Sequence, residues 1–405
     1  MVKPTILQFI PHGNRQAGGG EIYVDALSKG LVKIGYNVIH MEITGDASLR
    51  PHCDDGVYVL PVYQKHLDGI SRYLRINTYA CLRSAIQSAV KGEGLHSIDG
   101  ITDLPPVDII HCHSNHTPFG LYVLGLAKRY GVPSVLTSHL SERKEGNYKD
   151  MISKGIIFCT SSLATKRLAV CNGAGQVSFL PFENVGSFVD TILFDPQKAD
   201  RERFRQKYKI SSGDVVIGYA ARIIGYKRQE RLIDVIGMLK DHKNYKLFLA
   251  GTVDDKEYYN ACQKMIVDYD IKDRVFFVGE SNSLEGISNP HTALSREDMR
   301  DFYAALDIYC QPSDFEGFPL TVLEAMAMGK TVVTMDQPWV DEFDDFPGMI
   351  HVIKSDNLIE LVFSLIQSGA PVPNLRSRGV VESKCSLAEL VRKHDFVYTD
   401  LLEIS

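Results

Sequence analysis

Glu316 and Glu324 stand with seven residues between them in the run Phe315-Glu-Gly-Phe-Pro-Leu-Thr-Val-Leu-Glu324-Ala-Met-Ala-Met-Gly-Lys330. The run follows an apolar strand pattern at Asp307–Gln311. Pro319 and Gly329 bracket a short helical pattern, with proline at its start and glycine just past its end. The backbone around Phe318, Pro319, Leu320 and Thr321 is therefore expected at a helix start. Unpaired N–H groups and the positive end of the dipole favour an anion such as a diphosphate there. Carboxylates accept hydrogen bonds from vicinal hydroxyls, so the two acids could hold a sugar and a ribose on either side of a pyrophosphate. Taken singly, each also reads as a loop cap or an exposed helix residue.

Arg222 and Lys227 lie in Tyr219-Ala-Ala-Arg-Ile-Ile-Gly-Tyr-Lys-Arg228, directly after another strand pattern, Val215–Ala220. Cations fixed at a strand's carboxyl end would neutralise a diphosphate, increasingly so as it departs. Gly18, Gly19 and Gly20 separate the first strand pattern from a helix beginning near Glu21. Glycine there admits close approach of a ligand to the backbone. The spacing is not that of a dinucleotide fingerprint, and no convincing ribose-binding acid follows the second strand. His111, His113, His116 and His139 raise the question of a metal site, since alternate strand residues share a face. No carboxylate ligand follows closely, so a metal is not expected.

Short β-rich runs alternate with amphipathic helical segments along the chain. The strand patterns of the first half are Ile6–Ile10, Asn37–Ile43, Asp108–Cys112, Ser134–Thr137, Ile156–Thr160 and Val177–Pro181. Those of the second are Val215–Ala220, Lys246–Ala250, Arg274–Val278, Asp307–Gln311, Thr331–Met335 and Met349–Ile353. Glu21–Ile34 and Pro118–Tyr130 carry helical periodicity. Such alternation implies parallel sheets covered on both faces, and two series imply two doubly wound α/β domains. The expected division is residues 1–190, residues 191–380 and a C-terminal helix within 381–405 that packs back on the first domain. In open α/β sheets ligands bind outside the carboxyl ends of the strands, which is where the chemistry is to be sought.

The Glu316/Glu324 frame resembles the signature of the family-4 retaining glycosyltransferases. Similarity extends to Gly18-Gly-Gly-Glu21, Asp108-Ile-Ile-His-Cys-His113, Thr137-Ser-His139, Val189-Asp190, Phe194-Asp-Pro196 and Ala221-Arg222…Lys227. The resemblance implies the GT-B architecture, two Rossmann-like domains facing across a cleft, with the first domain on the acceptor side and the second holding a nucleotide-sugar donor. It implies that Glu316 contacts the donor sugar, Glu324 the ribose, and His139 the sugar or the reacting groups. Gly19 and Gly20 would face the donor phosphates or the acceptor, and no metal or other cofactor is needed. Three features depart from the family. Arg228 stands where relatives carry glycine, Leu140 where many carry an acid, and Glu280–Ala293 is inserted after the strand Arg274–Val278. The insertion reads equally as a surface loop or as a lid over the nucleotide base or the acceptor.

Composition sets the outer limits. A 405-residue chain with 44% hydrophobic residues can bury two cores. Its net charge of −6 excludes general nucleic-acid binding. Residues 1–190 carry 18 basic against 16 acidic residues, and the remainder 26 against 34. Lys65–Arg83 is the candidate for peripheral contact with an anionic membrane, against the plainer reading of a solvated face. The opening residues lack the pattern of a signal peptide, and the eight cysteines show no paired spacing, which suits a cytoplasmic protein.

The expected activity is metal-independent, retaining transfer of a hexose-type sugar from a UDP- or GDP-linked donor to a hydroxyl. The acceptor could be a saccharide, a lipid-linked group or a small molecule. The rivals are a nucleotide-sugar epimerase or phosphorylase of similar architecture, and a silent nucleotide-sugar-binding subunit.

Overall fold

The structure, a computed structural model, describes residues 3–11, 19–63, 71–92, 105–113, 118–139, 156–160, 182–239, 242, 244–279, 294–314, 316–344, 350–353 and 375–404. The chain divides into two compact units, Met1–Ser187 with Leu387–Ser405, and Phe188–Ser386.

In chain order the first unit contains β1 (Thr5–Ile10), α1 (Gly19–Lys33), β2 (Asn37–Thr44), β3 (His52–Asp54), β4 (Val57–Tyr63), α2 (Ser71–Lys91), β5 (Ile109–Cys112), α3 (Pro118–Tyr130), β6 (Ser134–Ser138), β7 (Ile156–Thr160) and β8 (Phe182–Asn184). The second contains α4 (Arg201–Lys207), β9 (Val215–Ala220), α5 (Gln229–Met238), β10 (Tyr245–Ala250), α6 (Lys256–Asp268), β11 (Val275–Val278), α7 (Arg296–Ala305), β12 (Ile308–Gln311), α8 (Leu320–Ala327), β13 (Thr331–Met335), β14 (Ile350–Ile353) and α9 (Leu375–Lys384). The last helix, α10 (Leu387–Ile404), belongs to the first unit.

Among the described residues the first sheet has the order β3-β4-β2-β1-β5-β6-β7-β8, parallel except for the β3–β4 pair. The second has the order β11-β10-β9-β12-β13-β14 and is parallel throughout. Among the parallel strands of each sheet the order reverses once, between β1 and β5 and between β9 and β12. Those reversals are the switch points outside which α/β proteins bind ligands.

The strand patterns read from sequence recur within a residue or two at every described position. Val177–Pro181 and the Glu280–Ala293 insertion lie outside the described residues. The β3–β4 hairpin is an addition. Its Asp55-Gly56 turn has φ of 50° and 83°, the two positive values that a two-residue hairpin turn needs. The Asp-Gly pair was the signal for it, and Pro61 within β4 obscured the strand.

The first sheet has two unlike faces. Leu7, Phe9, Met41, Ile110, Cys112 and Leu136 pack with Leu82 and Ile86 of α2 and Val123 and Ala127 of α3. Register places Gln8 beside His40 and His111 on the other face, and His111 beside Val135. Strand alternation adds Thr137 to that face. Tyr398 of α10 reaches it, bonding both Gln8 and His111. The second unit is filled conventionally, with Tyr219, Phe248, Tyr303 and Trp339 fully buried. No helix among the described residues is long and apolar enough to cross a membrane.

The α1–α10 contact is tight because Gly30 is small: a Cβ there would lie 2.4 Å from Cγ2 of Val391. Gly30→Ala gains about 1 kcal/mol of helix propensity. It also drives a methyl into a β-branched side chain with little rotamer freedom, at a cost of roughly 1–3 kcal/mol. Thermal denaturation is expected to show Gly30→Ala below the parent and the Gly30→Ala/Val391→Ala double variant recovering part of the loss.

Candidate active site

At the second unit's switch point, Lys227 follows β9 and Glu316 follows β12. The Lys227 Nζ donates to both carboxylate oxygens of Glu316, at 2.7 and 2.8 Å. Both side chains are mostly buried, 14% and 11% exposed. Ser313 Oγ donates a third bond to Glu316 Oε1 at 2.7 Å. Behind it, Tyr219 OH and Ser313 Oγ lie 2.6 Å apart. Burial, then the Glu316 charge, raises the Tyr219 phenol well above its usual value, so it stays neutral.

Arg222 remains half exposed, donating to Asp254 Oδ2 at 2.6 Å and to Tyr226 OH at 2.9 Å. Arg228, where the resemblance led one to expect glycine, adopts φ 57° and ψ 40°, the left-handed conformation open to glycine. Its Nε donates to Asp314 Oδ2 at 2.7 Å, and Arg231 contacts the other oxygen at 3.1 Å. The backbone is thus what a glycine would give, held by ion pairs instead.

Pro319 has extended ψ of 117° and caps α8, so Leu320 rather than Pro319 is the first helical residue. Its carbonyl accepts from Val322 at 3.2 Å. Leu320 and Thr321 amides meet no backbone acceptor among the described residues. Phe318 stacks on Trp339 with ring centroids 6.2 Å apart, anchoring the loop ahead of the helix. Glu324 is 4% exposed, and both its oxygens are engaged: Arg296 Nη1 donates to one at 2.7 Å and Tyr303 OH to the other at 2.8 Å. Arg296 in turn lies over the Phe194 ring at 4.8 Å. A ligand hydroxyl at Glu324 would share an oxygen already in use.

Sequence reading missed Ser313, Asp254, Tyr303 and Arg296. Ser313 and Asp254 stood in strand-end loops. Arg296 and Tyr303 gave no local sign, since α7 meets Glu324 only through the fold.

In the first unit Gly19 and Gly20 open α1, without positive φ. A Cβ on Gly20 would sit 4.0 Å from its nearest neighbours, His139 Cδ2 and Ile10 Cδ1. Neither dihedral angle nor packing among the described residues demands glycine at position 20. Gly18 and His116 lie outside the described residues. His113 Nδ1 and His139 Nε2 are 3.1 Å apart, and His113 Nε2 lies 2.5 Å from Gln8 Oε1. His111 bridges Tyr398 OH at 2.6 Å and Thr137 Oγ1 at 2.7 Å. His394 of α10 bonds the Leu390 carbonyl at 2.9 Å. Among the described residues no three His, Cys, Asp or Glu side chains are grouped to hold a metal ion.

Burial, reinforced by neighbouring histidines, pushes His111 and His113 well below the usual imidazole range. Burial and then His394 lower His139 to about 3. Burial, opposed by the Leu390 bond, leaves His394 at about 4. These rings remain neutral while folded, whereas unfolded histidines take up protons near pH 6.5. Their stabilisation is therefore complete above that pH and declines as pH falls through it.

Each ring held neutral is expected to cost up to about 1.4 kcal/mol per pH unit below ~6.5. Urea denaturation at pH 7.5 and 5.5 should show the loss. Circular dichroism is the suitable readout, because the single Trp339 lies in the other unit. At Arg228, a left-handed non-glycine residue costs roughly 1–2 kcal/mol and a half-exposed ion pair returns about 0–1. Thermal unfolding should therefore rank Arg228→Gly at or above the parent and Arg228→Ala below it.

Two family models match the chain: Glycosyltransferase Family 4 over residues 17–172, and Glycosyl transferases group 1 over residues 200–343. A glycosyltransferase of Methanocaldococcus jannaschii without assigned substrates is 22% identical over 333 residues, 79% of this chain and 77% of that protein. Among solved structures, sucrose-phosphate synthase of Thermosynechococcus elongatus superimposes with a TM-score of 0.77 at 16% identity, covering all of both chains. Anabaena HepE in complex with UDP-glucose does so with a TM-score of 0.70 at 15% identity, over 98% of this chain and 99% of that one. These likenesses carry the fold, and the two models run through both units. The chain belongs to the GT-B glycosyltransferases that join a family 4 N-terminal module to a group 1 C-terminal module.

Proposed function

We propose that this glycosyltransferase moves a hexose from a nucleoside-diphosphate donor to an acceptor hydroxyl with retention of configuration and without a metal. The observation that carries the reading is the Lys227–Glu316 pair at the second unit's switch point, beside the α8 start. The UDP-glucose in the HepE structure supports a nucleotide sugar as the donor class, and UDP and GDP are the two nucleotides proposed.

In this reading Glu316 accepts hydrogen bonds from hydroxyls of the transferred sugar, and His139 is a further partner of that sugar. Glu324, oriented by Arg296 and Tyr303, accepts from the ribose. Arg222, Lys227 and the Leu320 and Thr321 amides receive the diphosphate, with Phe318 and Pro319 shaping their approach and Gly19 and Gly20 leaving backbone open to a ligand. The acceptor oxygen bonds to the anomeric carbon on the face from which the diphosphate leaves. The acceptor proton passes to the departing phosphate oxygen. Fixed cations favour this because they neutralise charge that grows as the bond breaks. Free Cys53, Cys81, Cys112, Cys262, Cys310 and Cys385 suit the cytoplasm. The stretch Lys65–Arg83, with Arg72, Arg75 and Arg83 against Asp68, is the proposed contact with an anionic membrane surface.

The test is product analysis with a panel of UDP- and GDP-sugars and candidate acceptors. Glu316→Ala is expected to lower transfer at least 100-fold, by the measure of a lost charge-stabilising or orienting group, with native circular dichroism below a lowered melting temperature, because Lys227 is left unpaired. Chelators should leave the rate unaltered. Full activity in Glu316→Ala would remove the site assignment. An isomerised nucleotide sugar or a sugar phosphate as product would favour the epimerase or phosphorylase, and donor binding without turnover a silent subunit.

A further inference from the structure

We infer that Gln8, His113 and Tyr398 are positioning residues that set the tautomer of His139, with the C-terminal helix supplying a buried member of the chain of bonds. The inference rests on the reading of His139 as a partner of the transferred sugar. It starts from the polar face of the first sheet, where a side chain left without a partner costs about 1–3 kcal/mol. Gln8 and His111 are wholly buried and His113 is 4% exposed. Their bonds form one connected line.

The direction of each bond follows from the chemistry of its ends. Gln8 Nε2 can only donate, so at 2.9 Å Tyr398 OH accepts from it. The Tyr398 proton is then directed to His111 Nδ1, 2.6 Å away. Neutral His111 keeps its own proton on Nε2 and donates to Thr137 Oγ1. On the other branch Gln8 Oε1 can only accept, so His113 Nε2 bears the proton. The remaining His113 nitrogen, Nδ1, is a lone pair, and it accepts from His139 Nε2–H. His139 therefore presents an unprotonated Nδ1.

That outcome selects a function for the ring. A neutral imidazole with a free Nδ1 lone pair accepts a hydrogen bond from a sugar hydroxyl; an imidazolium cannot. The low proton affinity of the surrounding histidines keeps the ring in this form. The Tyr23 ring meets His139 edge-on at 4.6 Å between centroids and fixes its plane. Gln8 is the switch in the line. With its amide turned over, every bond would reverse and His139 would carry its proton on Nδ1, offering a donor instead.

The experiment is nitrogen-15 NMR of the full-length chain labelled in histidine, at pH 7, with the His139 signals assigned by His139→Gln. The proton is expected on Nε2. In Tyr398→Phe, which removes one oxygen and keeps the ring, His139 should become a mixture of tautomers. By analogy with the outer partners of metal-bound histidines, whose loss costs about 10- to 100-fold, the kcat for UDP release from UDP-glucose should fall on the order of tenfold, with KM within about twofold. A proton on Nδ1 in the parent would overturn the inference. So would a Tyr398→Phe variant with the parental tautomer. Undiminished turnover in His139→Ala would instead remove the proposed role of His139, a separate result from the tautomer itself.

Discussion

Lys227 and Glu316 come from different strand ends and are separated by 89 residues of chain, yet meet at 2.7 Å. A mostly buried charge of either sign is costly alone, and removing one partner from such a pair is strongly destabilising. Each therefore depends on the other, and both depend on β9 and β12 being neighbours in the sheet. Ser313 and Tyr219 extend the same set of bonds into the core. The residues around the pair are each fixed by a partner of their own. Arg222 is turned to Asp254, Arg228 is held left-handed against Asp314, and Phe318 is fixed on Trp339.

Glu324 illustrates a different solution for a buried acid. Tyr303 supplies a neutral donor and Arg296 a charged one, the latter covering Phe194 with its guanidinium. The helix that brings both groups, α7, follows directly on residues 280–293, the segment that the sequence led one to expect as an insertion. The geometry of Glu324 is therefore tied to the start of α7 rather than to its own helix alone.

On one face of its sheet the first unit joins buried polar groups by hydrogen bonds between neutral side chains. The other face is apolar and packs α2 and α3 in the ordinary way. The polar face carries glutamine, threonine and histidine, and helix α10 satisfies part of it with Tyr398. Such a face gains less from burial than an apolar one, and it restricts each ring to one orientation. Specific hydrogen bonding replaces some of the stabilisation that packing would have supplied.

Local sequence determined much of this protein. Strand periodicity, the proline and glycine bracketing α8, and the cations after β9 were all legible, because each depends on residues a few positions apart. The positions of Glu316, Lys227 and His139 at strand ends were legible for the same reason. Tertiary structure alone decided their partners. Nothing near Glu324 in the chain announces Arg296, and nothing near Gln8 announces Tyr398, 390 residues away. The left-handed Arg228 was also out of reach, since its conformation is held by Asp314, 86 residues on. Patterning of apolar residues tells which face of an element is buried. Which polar groups meet on that face depends on strand order and helix packing, and those exist only once the chain has folded.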